Sequence, residues 1–179
     1  MTGPVASLNG GGPAAARTIG VAAEIVATVA RASRETWADA PGVAAQAVEL
    51  AERCPGLAAD DELAWHAALA ALGAAVGGGT GQREGELRAR LEDSVELPVV
   101  IAETGADVAD LAASAARLGE GTFRSDAVSA ALLAHAGVRV AHHLVTVNLG
   151  TREDDHRSKR AASAEWRAEQ AVKQALEAD

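Results

Sequence analysis

Apolar residues recur along this chain at three- and four-residue intervals almost throughout, and strict alternation is scarce, so the predicted elements are helices. Ile19, Ala22, Ala23, Val26 and Ala30 share one face, which predicts a first helix from Pro13 to about Ala38. A second follows Pro41 and stops near Cys54, because Pro55 and Gly56 do not readily continue a helix. A third begins at Asp60 or Asp61 and carries Ala64, Ala68, Leu69, Leu72 and Val76 to a turn over Gly77 to Gly81. A fourth and a fifth meet around Pro98, and the fifth ends at Gly119 or Gly121. Ser125 suits the N-cap of a sixth, Asp126 complements its positive end, and Gly150 suits a left-handed cap at its other end. A final charged helix covers Arg157 to Ala178. The expected architecture is all-α: a bundle of about six long helices plus a C-terminal helix, forming a single domain over residues 1–179.

Composition sharpens that picture. Alanine occurs 45 times, Phe once and Tyr not at all, so these helix faces must gain stability from many small contacts. Gly20, Ala23, Ala27 and Ala30 allow close helix approach, which suits a homo-oligomer as well as a bundle. The net charge is -9, from 16 Lys and Arg against 25 Asp and Glu, and a phosphate backbone is repelled at most approaches. Nucleic acid is therefore not an expected partner. Cys54 is the one cysteine, which excludes an intramolecular disulfide and any multi-cysteine metal site, and fits a reducing, cytoplasmic compartment. Arg17, Glu24 and Arg31 interrupt the most apolar stretches, and Met1 to Gly12 has neither the basic start nor the apolar run of a secretory signal. No membrane span is expected.

Candidate chemistry is sparse. Gly10, Gly11 and Gly12 precede a proline-started helix and can expose backbone amides at its positive end to a ligand, or can simply be a loose start. Asp126 and Asn148 lie twenty-two residues apart on the sixth helix, about 33 Å, so one small ligand cannot touch both in one chain. Asp126 also reads as helix-dipole stabilisation, and Asn148 as a cap for terminal carbonyls. His135 and His142 fall two turns apart on one face, but no carboxylate joins them at ligand spacing, and no metal site is expected. His66 reads as a half-exposed aromatic beside Trp65. Arg17, Arg31, Arg34 and Arg124 are solvated surface positions or partners for an anion, and the Asp60-Asp61 and Asp154-Asp155 pairs read as helix-start and loop residues.

In order along the chain, these segments resemble one family. The triglycine turn, Ala30-Arg31-Ala32-Ser33 with Trp37, and Asp61-Glu62-Leu63-Ala64-Trp65 are followed by Leu97-Pro98 with Ile101-Ala102-Glu103. Arg124-Ser125-Asp126-Ala127, Leu144-Val145-Thr146-Val147-Asn148-Leu149 and Asp155-His156-Arg157 complete the set. The set resembles the cyclodeaminase/cyclohydrolase family of folate one-carbon enzymes, with Asn9 and Pro13 in place of the family's Pro and Ser around the glycines and Trp65 in place of a Tyr. The resemblance implies an all-helical homodimer that acts on a tetrahydrofolate carrying a one-carbon unit, with no metal or redox cofactor. It implies either closure of the 5-formimino form to the 5,10-methenyl form with loss of ammonia, or hydrolysis of the methenyl form to the 10-formyl form. Carried over, Gly10, Gly11 and Gly12 line the folate site, Asp126 is the first candidate acid/base and Asp61 the second. Ser125 and Asn148 join the substrate-binding set, with Arg17 or Arg124 meeting the anionic glutamate tail. The alternatives are a non-catalytic helical interaction protein on the same scaffold, or an enzyme for another amidine or imine.

Overall fold

Five long helices and one short 3-10 turn organise the described residues, 10–76, 81–150 and 154–178, of the computed structural model. The helices are α1 (Gly11–Ala32), α2 (Ala40–Val76), α3 (Gly81–Leu118), α4 (Arg124–Leu149) and α5 (His156–Glu177), with the turn at Gly121–Phe123 before α4. No strand occurs among the described residues. The all-α expectation holds, and the helix count is corrected. The predicted second and third helices are one helix, α2, and the predicted fourth and fifth are one helix, α3. The predicted turn at Gly77 to Gly81 falls mostly outside the described residues.

Both mergers have a local cause. Proline inside a helix removes one hydrogen bond and crowds the preceding turn, at a cost of about 3 kcal/mol. Pro55 is exposed, so water can serve the Ala51 carbonyl it leaves without a helical donor, while Cys54, Leu57 and Ala58 stay buried in the core. Pro98 is fully buried, and there Asn148 of α4 donates to the Ser94 carbonyl four residues before it, at 3.4 Å. Asp60 and Asp61 consequently lie in the middle of α2, not at a helix start.

The ends also differ from expectation. α1 stops at Ala32 because Ser33 Oγ donates to the Val29 carbonyl and accepts from the Glu120 amide, both at 2.9 Å, tying this end to the segment after α3. α4 begins two residues earlier than predicted, with Phe123 at its N-cap; Ser125 is exposed in the first turn and does not cap. Gly150 does close α4, with φ 60° and its amide donating to the Thr146 carbonyl. Asp155 caps α5 by accepting from the Arg157 amide and side chain, and these bonds hold its carboxyl well below the usual carboxylate range.

α1 packs against α2, α3 and α4, and α3 also meets α2, α4 and α5. The main core gathers Ile19, Val26, Val29, Ile101, Val108 and Val138 among many alanines. Ile19 sits where α3 and α4 lack side chains: a Cβ on Gly137 would lie 2.6 Å from Ile19 Cγ1, and one on Gly105 would lie 2.8 Å from Ile19 Cδ1. Gly137→Ala is therefore expected to lower unfolding stability by about 1–3 kcal/mol through overpacking. A denaturant titration reads this, and an unchanged midpoint would show that Ile19 can yield. A smaller cluster of Val95, Val99, Val145, Leu149 and Ala161 joins α3, α4 and the start of α5. Arg160 bridges Glu96 and Glu103, and Arg167 bridges Asp107 and Asp110, along the α3–α5 seam.

Two stretches, Gly11–Ala32 and Gly121–Leu149, are long and apolar enough to cross a bilayer by length and composition. This corrects the expectation that charges break every such stretch: Arg17 and Glu24 are too few to do so in α1. Of their apolar windows, 61% and 39% respectively are buried inside the bundle, so much of that hydrophobicity is spent on helix packing.

Candidate functional site

The glycine bend opens α1 at one wall of a hollow of about 370 Å³, a volume suited to a small organic ligand. Gly10, Gly11, Gly12 and Pro13 form that wall; Asp61, Glu62, Trp65 and His66 of α2 form a second. Ser94 and Pro98 of α3, with Leu144, Val147 and Asn148 of α4, are the other described residues of the lining. The hollow thus draws on four helices and lies beside the smaller core cluster, which shares α3 and α4 with it.

Gly10 is the N-cap of α1 and has no side chain to cap with, while Pro13 has no amide hydrogen. The Ala14 amide returns to the Gly10 carbonyl at 3.3 Å, so Gly11 and Gly12 are the helix-opening residues whose amides lack an intrahelical acceptor. Against this turn sits Asp61: a Cβ on Gly12 would lie 2.1 Å from its Oδ2 and 2.5 Å from its carboxyl carbon. An anion is favoured at a helix N-terminus. Burial acts the other way and prevails, raising the Asp61 pKa above its ordinary value. A half-buried carboxyl held above its ordinary pKa by burial, at the wall of a hollow, is a candidate general acid/base.

On α2, Asp61 and Trp65, like Glu62 and His66, are four residues apart and so stack on one helix face. Trp65 is 46% exposed and offers a flat apolar surface at the hollow, and Glu62 adds negative potential. Glu62, Trp65 and His66 were not among the residues expected at the site. The i, i+1, i+4, i+5 pattern of polar and aromatic residues was the available signal, hidden by the placement of Asp60 and Asp61 at a helix start.

The remaining expected site residues divide sharply. Gly10, Gly11, Gly12, Asp61 and Asn148 come together. Asp126 and Ser125 are exposed in the first turn of α4, while the hollow uses Leu144, Val147 and Asn148 at the other end of that helix. Within its own chain Asp126 therefore stands apart from this hollow, about 27 Å along α4 from Leu144 and about 33 Å from Asn148. Arg17 is exposed on α1 and Arg124 donates to the Leu176 carbonyl at 3.5 Å, so neither lines the hollow. The described lining contains no Arg or Lys.

Elsewhere, Glu165 of α5 accepts from His142 and pairs with Arg139, supplying the carboxylate that the sequence spacing did not. Among the described residues no group of three or more His, Cys, Asp or Glu could hold a metal ion. Burial pushes the Cys54 thiol up to about 11, which suits a core residue and not a nucleophile.

The chain resembles the solved formiminotetrahydrofolate cyclodeaminase of Thermotoga maritima with a TM-score of 0.80. The two are 22% identical, and the match covers 93% of this chain and 85% of that one, which establishes a shared fold. No curated protein matches the sequence. The sequence pattern of the family described as formiminotransferase-cyclodeaminase matches residues 4–167, nearly the whole chain, and the protein therefore belongs to that family.

Proposed function

We propose that this chain is a cytoplasmic folate one-carbon enzyme of the cyclodeaminase or cyclohydrolase type, with Asp61 as its general acid/base. The observation that carries the reading is the Asp61 carboxyl, half-buried against the glycine-opened end of α1 and facing a hollow with a flat Trp65 surface. In the closing reaction, N10 attacks the carbon of the protonated 5-formimino group, giving a tetrahedral carbon that bears N5, N10 and the departing amino nitrogen. Asp61 takes the proton released at N10 and passes it to the departing nitrogen, which leaves as ammonia. In the hydrolytic reaction, Asp61 takes a proton from the water that attacks the cationic methenyl carbon and returns it to N5 as the N5–C bond breaks, while the remaining hydroxyl proton leaves to solvent as the formyl C=O forms. The Asp61 and Glu62 carboxylates favour the cationic amidinium on either route. Neither route changes an oxidation state, and a proton carrier suffices without a metal or redox group.

The test follows the methenyl absorbance. Purified protein should raise it from 5-formiminotetrahydrofolate with release of ammonia, or discharge it from 5,10-methenyltetrahydrofolate, faster than buffer alone. No acceleration with either compound would remove the enzyme assignment.

A homodimer belongs to the same reading, with no nucleic acid or membrane as partner. Val21 on α1 and Leu132, Val140 and Val147 on α4 are large apolar side chains left exposed on two helices that pack together. A second copy is the occupant that the reading gives this face. Light scattering should give twice the 18.1 kDa chain mass, and a monomer at micromolar concentration would remove this part of the reading.

A further inference from the structure

Pro98 has a consequence inside the hollow. A helix normally satisfies each carbonyl with the amide four residues later, and at Ser94 that amide is Pro98, which has no hydrogen to give. Asn148 Nδ2 donates to this carbonyl at 3.4 Å across the α3–α4 contact. Because a carbonyl can only accept, the Asn148 side chain is held with its amino group toward α3 and its Oδ1 turned from it. The remaining capacity of the amide, one N–H and the Oδ1 acceptor, then serves whatever enters the hollow that Asn148 lines. Among the described lining residues Asn148 alone carries a side-chain amide, the group that can meet an adjacent donor and acceptor on one edge of a heterocycle.

We propose that Asn148 recognises the N–H and C=O edge of the ligand's pterin ring, and that Pro98 is the positioning residue that orients Asn148 by leaving the Ser94 carbonyl to it. This assignment rests on the folate reading above and names the contact that selects the ring. It separates two jobs at the site: Asp61 moves protons, and Asn148 holds the ring without touching the reacting carbon. Pro98 acts only through Asn148.

The experiment is calorimetric titration of the full chain with 5-formyltetrahydrofolate, a stable reduced folate substituted at the same nitrogen as the formimino compound. Asn148→Ala should raise Kd about tenfold or more, the loss expected when a buried polar contact is left unmade. Pro98→Ala restores a helical amide to Ser94 and should raise Kd by a smaller factor, with helix content unchanged. In the Asn148→Ala background Pro98→Ala should add nothing further, because the two residues act as one unit. Asn148→Asp keeps the shape but cannot donate to Ser94, and it should bind as weakly as Asn148→Ala; it also serves as the test should the alanine variant not fold.

Wild-type-like binding by the Asn148 variants would overturn the recognition role. An equal Pro98→Ala effect with and without Asn148 would overturn the positioning role and mark a general change in α3. If the wild-type chain bound no 5-formyltetrahydrofolate, the folate reading itself would fall, and this assignment with it.

Discussion

Asp61→Asn is expected to lower turnover by about two to four orders of magnitude, the range for loss of a positioned general acid/base, with helix content intact. The amide keeps the shape of the carboxyl against Gly12 and removes only its proton chemistry. Stability should move the opposite way. Burial raises the folded-state pKa of Asp61 above its unfolded value, so its ionised form is disfavoured by folding. The associated stability is fully present below the unfolded pKa, about 3.9, and is lost as pH rises through the folded value. Asparagine carries no charge to bury. The variant should therefore melt at or above the wild type at pH 7, with the difference shrinking as pH falls toward 4. Thermal melts across that range, beside the turnover assay, check both halves. A variant that loses activity and also melts lower at neutral pH would reassign Asp61 as a structural residue.

The helical character of the chain was legible because it is encoded locally. The spacing of Ile19, Ala22, Ala23, Val26 and Ala30 predicts a buried face, and all five are buried in α1. Gly150 is expected to stop its helix at a positive φ, and it ends α4 at φ 60°, though with ψ -123° and so outside the left-handed helical conformation. What misled was punctuation. Pro55 reads as a helix stop and Pro98 as the first turn of a new helix, since a sequence window shows the missing amide but not what replaces it. At Pro55 the replacement is solvent access, and at Pro98 it is a side chain fifty residues later in the sequence, neither of which any local pattern carries.

The site shows the same division. Three glycines before a helix announce an anion-friendly turn, and they do line the hollow. The family resemblance ranks Asp126 ahead of Asp61, although by pattern alone Asp126 reads as helix-dipole stabilisation. A helix-start carboxylate is also the commonest kind of exposed acid, and Asp126 is exposed. Asp61 looked ordinary until α2 continued past Pro55 and brought it under α1. Partial burial is a tertiary property, and the chemistry of a carboxyl depends on it more than on its neighbours in sequence.

Gly12→Ala carries the second large effect. The three glycines look equivalent in sequence, but space separates them. A Cβ on Gly10 would meet only Pro13 at 3.8 Å, and one on Gly11 would touch Leu144 at 3.4 Å, both ordinary contacts. On Gly12 it would lie 2.1 Å from Asp61 Oδ2, so the carboxyl or the start of α1 must move. Gly12→Ala should cost about 1–3 kcal/mol of stability by overpacking. It should also lower turnover by at least about 100-fold, because displacing an acid/base by an ångström forfeits most of its contribution. Gly11→Ala should stay within about threefold of wild-type turnover, since its new methyl group meets only ordinary packing contacts. Removing the obstacle separates the causes: in an Asp61→Ala background, Gly12→Ala should lose most of its stability cost, since the clash no longer exists. If Gly12→Ala kept wild-type turnover, or if Gly11→Ala lost as much, the Asp61 carboxyl would not be the group that Gly12 makes room for. The glycine turn would then act through its backbone amides alone.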